Sequence, residues 1–284
     1  MTVAVPLSLT LRAMTAEDLP RAEELSAEQS WPHRMEDWEL FFELGEGIVA
    51  ESDGEIVGSI MGWRFGDNVA SIGMVIVTPN RQGAGIGRKL MEAMLARLDG
   101  YTVMLNATAD GLPLYTRVGF VPLATVRQHQ GLAPTMPLAP LRAGERVRPL
   151  GMDGAAIIRM YNEAVGMDRT AFMERVMRDS QATILTREHE PVGFSLLRRF
   201  GRGRVVAPVV AQDLAGAQAL VTHWLGAKAG KFCRMDVDGD SGLSQWLEDI
   251  GLPCVGSVTT MVRGPAPVPR GTGKVFAVMG QAFG

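Results

Sequence analysis

The chain has 284 residues, 46% hydrophobic and 21% charged, enough to build packed cores in about two domains. Its net charge of -3, without any lysine- or arginine-rich run, excludes bulk nucleic-acid binding. No apolar stretch approaches the roughly 18 residues of a membrane span, Met1–Thr10 has no secretory pattern, and two cysteines make no disulfide framework. A cytoplasmic protein with free thiols is expected, and four scattered histidines offer no metal-ligand spacing.

In chain order, Leu7–Arg12 reads as a strand. Thr15–Gln29 reads as a helix opened by Thr15 and Asp18, with Leu19, Ala22, Leu25 and Ala27 on one face. Met35–Leu44 is a second helix. Gly47–Glu51 and Glu55–Trp63 form a hairpin across Ser52-Asp53-Gly54. Val69–Val77 is a strand, and Ala84–Leu98 a helix with Ile86, Leu90, Met94 and Leu98 aligned. Tyr101–Ala107, Leu112–Val118 and Phe120–Gln128 follow as strand, short helix and strand.

The chain repeats itself. Glu55-x-Val57-Gly58 with Arg64-Phe65-Gly66 recurs as Glu190-x-Val192-Gly193 with Arg199-Phe200-Gly201, an offset of 135. Arg12-Ala13-Met14 answers to Arg148-Pro149-Leu150, offset 136, and Val118-Gly119-Phe120 to Ile250-Gly251-Leu252, offset 132. Ordered matches with nearly constant offset imply two copies of one domain-sized unit. The first occupies 1–131 and the second 145–263, joined by a linker over 132–144 that carries Pro134, Pro137 and Pro140. A tail over 264–284, with Val275, Phe276, Val278, Met279 and Phe283, is too apolar to stay exposed and is expected to pack on the body.

The most informative stretch runs from Val75 to Met91. An apolar strand stops at Thr78-Pro79-Asn80, a loop with Gly83, Gly85 and Gly87 follows, and a helix begins. Such a loop aims main-chain N–H groups at one point, at the positive end of a helix dipole, and so makes an anion site. A dinucleotide fingerprint fails because its last glycine would be Arg88. A Walker loop fails because Lys89 precedes Leu90 rather than Ser or Thr. Gln82-x-x-Gly85-x-Gly87 resembles the pyrophosphate loop of the GNAT superfamily of acyl-CoA N-acyltransferases. Leu114-Tyr115-Thr116-Arg117-Val118-Gly119-Phe120 is similar to that family's L-Y-x-x-x-G-F segment.

The resemblance implies a mixed α/β sheet in each unit and a tandem, YitH-like architecture. The second unit would be degenerate: between its third strand and last helix three residues are missing where the loop should lie, and Leu247 stands opposite Tyr115. The resemblance also implies acetyl-CoA as donor. Its pyrophosphate would be held by the main chain of Gln82, Gly83, Ala84, Gly85, Ile86, Gly87 and Arg88, with glycines permitting close approach. Its pantetheine would lie along Val75, Ile76 and Val77. Tyr115 matches the family's general acid, which protonates the departing thiolate; a buried packing role is the alternative.

The base is not legible. Ser71, Ile72, Gly73 and Met74 offer no carboxylate on the fourth strand, and Thr108 stands where the family has asparagine. Glu28 and His33 are the candidates, His33 because imidazole titrates near pH 7. Trp31 and Trp38 could wall an acceptor pocket or be core. Asp236, Asp238 and Asp240 resemble a calcium loop, but Ser241 and Leu247 occupy its glycine and glutamate positions, so no metal is expected. The leading reading is an acetyl-CoA-dependent N-acetyltransferase with a primary amine, small molecule or protein, as acceptor. The alternative is a non-catalytic acyl-CoA-binding or regulatory protein of the same fold.

Overall fold

Short-range chemistry sets most element ends. In a computed structural model, which describes residues 9–283, Asp53 and Gly54 have φ of 56° and 82°. Positive φ at both positions is the type I′ two-residue hairpin turn, and the pair joins β2 (Glu46–Ser52) to β3 (Glu55–Phe65). Ahead of them come β1 (Leu9–Ala13), α1 (Leu19–Glu28) and α2 (Met35–Leu44). The expected first strand began at Leu7, and its first two residues lie outside the described residues. The first helix starts later than expected because Ala16–Asp18 form a 3₁₀ turn, with the Asp18 carboxylate accepting the Thr15 N–H at 2.8 Å.

β4 (Val69–Val77), α3 (Ile86–Arg97), β5 (Thr102–Ala107), α4 (Leu112–Arg117) and β6 (Val121–Leu132) complete the first half. β6 runs four residues beyond the expected Gln128. The second half has β7 (Glu145–Pro149), α5 (Gly154–Val165), α6 (Thr170–Arg178), β8 (Ser180–Arg187), β9 (Glu190–Phe200) and β10 (Gly203–Ala211). α7 (Leu214–Ala227), β11 (Phe232–Asp238), α8 (Leu243–Asp249), β12 (Cys254–Arg263) and β13 (Lys274–Ala277) follow.

The repeat is visible in detail. A Cβ on either Gly58 or Gly193 would stand 2.8 Å from a carbonyl oxygen of the next strand, Ile76 or Val210 respectively. Gly119 and Gly251 have φ of 92° and 90°. The halves nevertheless share one thirteen-stranded sheet, ordered β1-β2-β3-β4-β5-β12-β6-β11-β13-β10-β9-β8-β7. Each half lends its last long strand to the middle: β12 lies between β5 and β6, and β6 between β12 and β11.

Helices α3 and α4 cover one face of the first half, over Ile48, Ile60, Ile72, Leu90, Met94, Tyr115 and Phe120. A second core, with Val206, Val209, Leu220, Leu225 and Leu243, lies under α7 and α8. The third core draws on both halves, packing Trp38, Phe41 and Trp63 with Tyr161, Phe172 and Phe194. Burying side chains of this size contributes about 1.5–3 kcal/mol each, which ties the halves together. The tail completes this core. Phe283, 1% exposed, lies edge-on to Phe41, Trp63 and Phe172 at 5.1, 5.0 and 4.4 Å between ring centroids.

Candidate acyl-transfer site

β4 and β5 pair in parallel only from Val69–Thr102 to Ser71–Met104, after which their main chains are unpaired with one another. Two features of β4 shape the opening. The register against β3 slips between Ser59 and Met61, and Met74 has φ of 52°, a bulge that the Ser59 hydroxyl holds by donating to the Met74 carbonyl at 3.1 Å. Further on, the Thr78 N–H donates to Val57 on β3 at 2.9 Å. By the alternation of antiparallel bonding, the Val77 N–H and C=O face away from β3 and into the opening. The Val77 carbonyl accepts there from the side-chain amides of Gln82 at 3.1 Å and Gln29 at 3.5 Å.

The loop closes the upper end. Gly83 and Gly85 both have φ of 78°, and a Cβ on either would meet nothing within 4 Å. In the protein alone these glycines are therefore required by backbone conformation rather than by crowding. Gly85 caps α3, so the helix begins at Ile86, two residues later than Ala84 as expected from sequence. Among the described residues, no main-chain acceptor serves the N–H groups of Gly83 through Arg88. Six donors thus gather at the positive end of a twelve-residue helix. Ile86 anchors the turn in the core at 4% exposure, and the Arg88 side chain pairs with Glu92 at 2.7 Å.

The structure brings loop, strand and tyrosine helix together. A Cβ on Gly87 would lie 3.5 Å from the Leu114 side chain and 3.8 Å from that of Val77. Tyr115 is 8% exposed, edge-on to Phe120 at 6.3 Å. A Cβ on Gly111 would crowd its ring at 2.7 Å. Burial pushes the phenol up to about 12, so it keeps its proton at neutral pH, and no described residue pairs with its hydroxyl.

The two candidate bases fare differently. Glu28 is drawn to the end of β4, accepting from the Thr78 hydroxyl at 2.6 Å and from Arg21 at 2.9 Å. Burial disfavours its charge, but these two bonds outweigh that and hold the carboxylate below its ordinary range. Such a carboxylate is a weak base and a strong tie between α1 and β4. The expectation of a near-neutral imidazole at His33 is corrected. Its ring is edge-on to Trp31, Phe41 and Phe200, its Nδ1 is buried without a partner, and burial pushes its pKa down to about 4. Trp38 is core, fully buried with its indole N–H on Ser26 at 3.2 Å.

The second half lacks this arrangement for three reasons. The Asp213 carboxylate already caps α7, accepting the Gly216 N–H at 2.9 Å, so an anion of the chain itself sits where the first half leaves donors unpaired. Leu247 is a buried core residue opposite Tyr115. β10 and β11 also part after two pairs, but β13 fills the gap, pairing Val209 with Ala277, Val210 with Val275 and, on the other side, Val237 with Ala277.

Sequence reasoning missed a polar row that runs from β5 across the middle of the sheet: Asn106 on β5, Thr260 on β12, Gln128 on β6, Asp236 on β11 and Gln281 in the tail. No local signal marks it, because strand exchange assembles it from five distant segments. Among the described residues no cluster of histidine, cysteine or carboxylate side chains could hold a metal ion, and no helix is long and apolar enough to cross a membrane.

An anion cradle at a helix N-terminus beside two diverging parallel strands marks the first half as an acyl-CoA acyltransferase fold, and the second half repeats its strands and helices without the cradle. A family model described as an acetyltransferase (GNAT) domain matches residues 43–122, and another of the same description matches 157–277. The chain belongs to the GNAT acetyltransferase family, in tandem-domain form. It is 24% identical over 267 residues to YitH, an uncharacterised N-acetyltransferase of Bacillus subtilis, covering 92% of this chain and 93% of that one. Over 126 residues it is 33% identical to the N-alpha-acetyltransferase RimI of Mycobacterium tuberculosis, covering 39% of this chain and 78% of RimI. A Pyrococcus horikoshii protein described as a candidate acetyltransferase superposes with a TM-score of 0.80 at 20% identity, covering 100% and 98% of the two chains. A tandem GNAT protein from the clavulanic acid biosynthesis pathway superposes at 0.66 and 14% identity, covering 91% and 100%.

Proposed function

We propose that the protein is an acetyl-CoA-dependent N-acetyltransferase acting on a primary amine, with one coenzyme site, in its first half. The observation that carries this reading is the set of unpaired N–H groups from Gly83 to Arg88, beside the unpaired edge of β4 and next to Leu114 of the helix that carries Tyr115. Those donors and the α3 dipole suit a pyrophosphate. The Val77 main chain and, by the same alternation, that of Val75 offer partners to an extended arm with amides, whereas Ile76 turns its main-chain groups to β3. Gln82, whose side chain caps the Val77 carbonyl, stands at the junction of arm and pyrophosphate.

In the transfer, the neutral amine nitrogen attacks the thioester carbonyl carbon. Charge developing on the carbonyl oxygen is met by a β4 main-chain N–H turned into the opening by the Met74 bulge. The C–S bond then breaks. The amine's surplus proton leaves to water, Tyr115 gives its phenol proton to the sulfur, and water returns a proton to the phenolate, so the products are an amide and a free thiol beside an unchanged enzyme. Glu28 anchors Thr78 and with it the strand end. Proton relay through its carboxylate, the remaining candidate base, would have to overcome its depressed basicity.

The test is titration of the protein with acetyl-CoA by calorimetry, then free-thiol release with spermidine, glucosamine and a tripeptide bearing a free α-amine. One site and amine-dependent thiol release are expected. Binding without turnover by any amine would favour a non-catalytic acyl-CoA-binding protein, and no binding would overturn both readings.

A further inference from the structure

Arg198, on β9, carries a charge that the chain buries without pairing; the residue is 5% exposed. Sheet register fixes its surroundings. Val205 on β10 pairs with Arg198 on one side and with Arg234 of β11 on the other, and Arg234 pairs in turn with Gln130 of β6. Residues paired across strands project to one face, so the two arginines stand about 10 Å apart on the same side of the sheet. Phe200, two residues beyond Arg198, shares that face, and the two guanidinium carbons lie 5.1 and 5.4 Å from the centre of its ring. His33, from the loop between α1 and α2, lies edge-on to the same ring at 5.6 Å. The tail meets Arg198 as well: the Met279 carbonyl accepts from Nη2 at 3.3 Å, and a Cβ on Gly280 would stand 3.7 Å from that nitrogen.

The charges at this junction do not balance. Arg34 is paired with Asp37 at 2.9 Å, and Arg234 with Asp236 at 3.0 Å. Both carboxylates have further commitments, Asp37 to the Gly201 N–H at 3.0 Å and Asp236 to the Gln281 amide at 2.9 Å. Glu36 stands out in solvent, 3.7 Å from Arg34. Arg198 feels Asp37 and Asp236 only from a distance and makes no ion pair among the described residues. Burial lowers its pKa to about 10, so it stays charged at neutral pH. A guanidinium has five N–H donors, and here only Nη2 has found a partner. Nε is buried without one, as is Nδ1 of His33. The Nη1 groups of Arg198 and Arg234 also meet no described acceptor, yet neither is sealed from solvent. An unpaired charge held out of water is among the costliest features of a fold, and an anion from solution removes that cost.

We propose that the junction of the two halves binds a small carboxylate, held by the free Nη1 donors of Arg198 and Arg234 beside Phe200. One excess positive charge calls for one negative charge, which a carboxylate supplies and a phosphate dianion exceeds. Its planar pair of oxygens also suits guanidinium N–H groups. Arg198 and Arg234 belong to the second half and His33 and Arg34 to the first, so the bound anion adds to the cohesion between halves.

The probe is acetate. Melting temperature of the intact chain is measured as sodium acetate replaces sodium chloride at fixed ionic strength, with sodium phosphate as a parallel series. Contact is read directly by saturation-transfer NMR from the protein to the acetate methyl group. Acetate at about ten times its Kd should raise the melting temperature of wild type by roughly 2–5 °C, and phosphate should raise it less. Arg198→Met removes the charge and keeps an apolar stem. It should melt above wild type in chloride, ignore acetate and give no transfer signal. Arg198→Gln should lose the same two responses and decides the matter if the Met variant does not fold. A wild type with neither a melting shift nor a transfer signal overturns the proposal. So does an acetate response that survives unchanged in a folded Arg198 variant, or stabilisation by phosphate without any by acetate. An Arg198→Met protein that melts below wild type by the same margin in both salts would reduce Arg198 to a structural role. Acetyl-CoA enters no arm of the test, so its outcome is independent of the acetyltransferase reading.

Discussion

Gly85→Asp tests the cradle against the second half's own solution. There Asp213 places a carboxylate on the first turn of α7, and the mutation would do the same to α3. Gly85 has φ of 78° and open space around it, so the new side chain clashes with nothing. A left-handed conformation costs a non-glycine residue about 1–2 kcal/mol. A carboxylate at a helix N-terminus returns about 0.3–1 kcal/mol. The net loss, about 1 kcal/mol, shifts Tm by roughly 2–4 °C in a chain of this size. Binding should suffer far more. One carboxylate about 5 Å from one phosphate charge costs about 3 kcal/mol at an effective dielectric of 20, and less where solvent screens it. Occupying one donor removes a charge-assisted bond worth about 1.5–3 kcal/mol. Together these predict at least a hundredfold weaker acetyl-CoA binding by calorimetry, partly relieved by raised salt. Gly85→Ala carries the conformational cost without the charge and should lose less than tenfold. A folded Gly85→Asp protein with Kd within threefold of wild type would refute the pyrophosphate assignment.

Tyr115→Phe keeps the packing against Phe120 but removes the proton; kcat should fall by about 10² to 10⁴ with acetyl-CoA KM changed only a few-fold, checked by steady-state kinetics beside a melting curve. A kcat within threefold, with chemistry limiting, would remove Tyr115 from the mechanism. His33 predicts a pH dependence of stability. Its native pKa, about 4, lies below that of an unfolded histidine near 6.5, so the unfolded chain takes up the proton first as pH falls. The contribution is complete above about pH 6.5 and is lost on descending to about 4, by at most about 3 kcal/mol. Denaturant titrations of wild type and His33→Phe should diverge across that window; identical acid limbs would contradict the burial argument.

What the sequence made legible was local. The loop, α3 and the Tyr115 segment are contiguous runs whose spacing carries their geometry, and the repeat was readable because paired positions such as Gly58 and Gly193 meet the same backbone constraint. The tail's apolar residues announced burial but not where. β13 enters a gap between β10 and β11 that exists only once those strands diverge, and Phe283 fills a core built by both halves. The exchange of β6 and β12 depends on pairing between segments more than a hundred residues apart, which no periodicity encodes. His33 misled because an isolated imidazole after proline looks exposed, whereas Phe200 of the second half closes over it.

The most direct measurement is the stoichiometry of acetyl-CoA binding to the intact chain by calorimetry. One half keeps its donors free and its strands apart, and the other has capped its helix with Asp213 and zipped its strands with β13. One site per chain is therefore predicted, abolished by Gly85→Asp. Two equivalent sites, or one site that survives that substitution in a folded protein, would contradict the account.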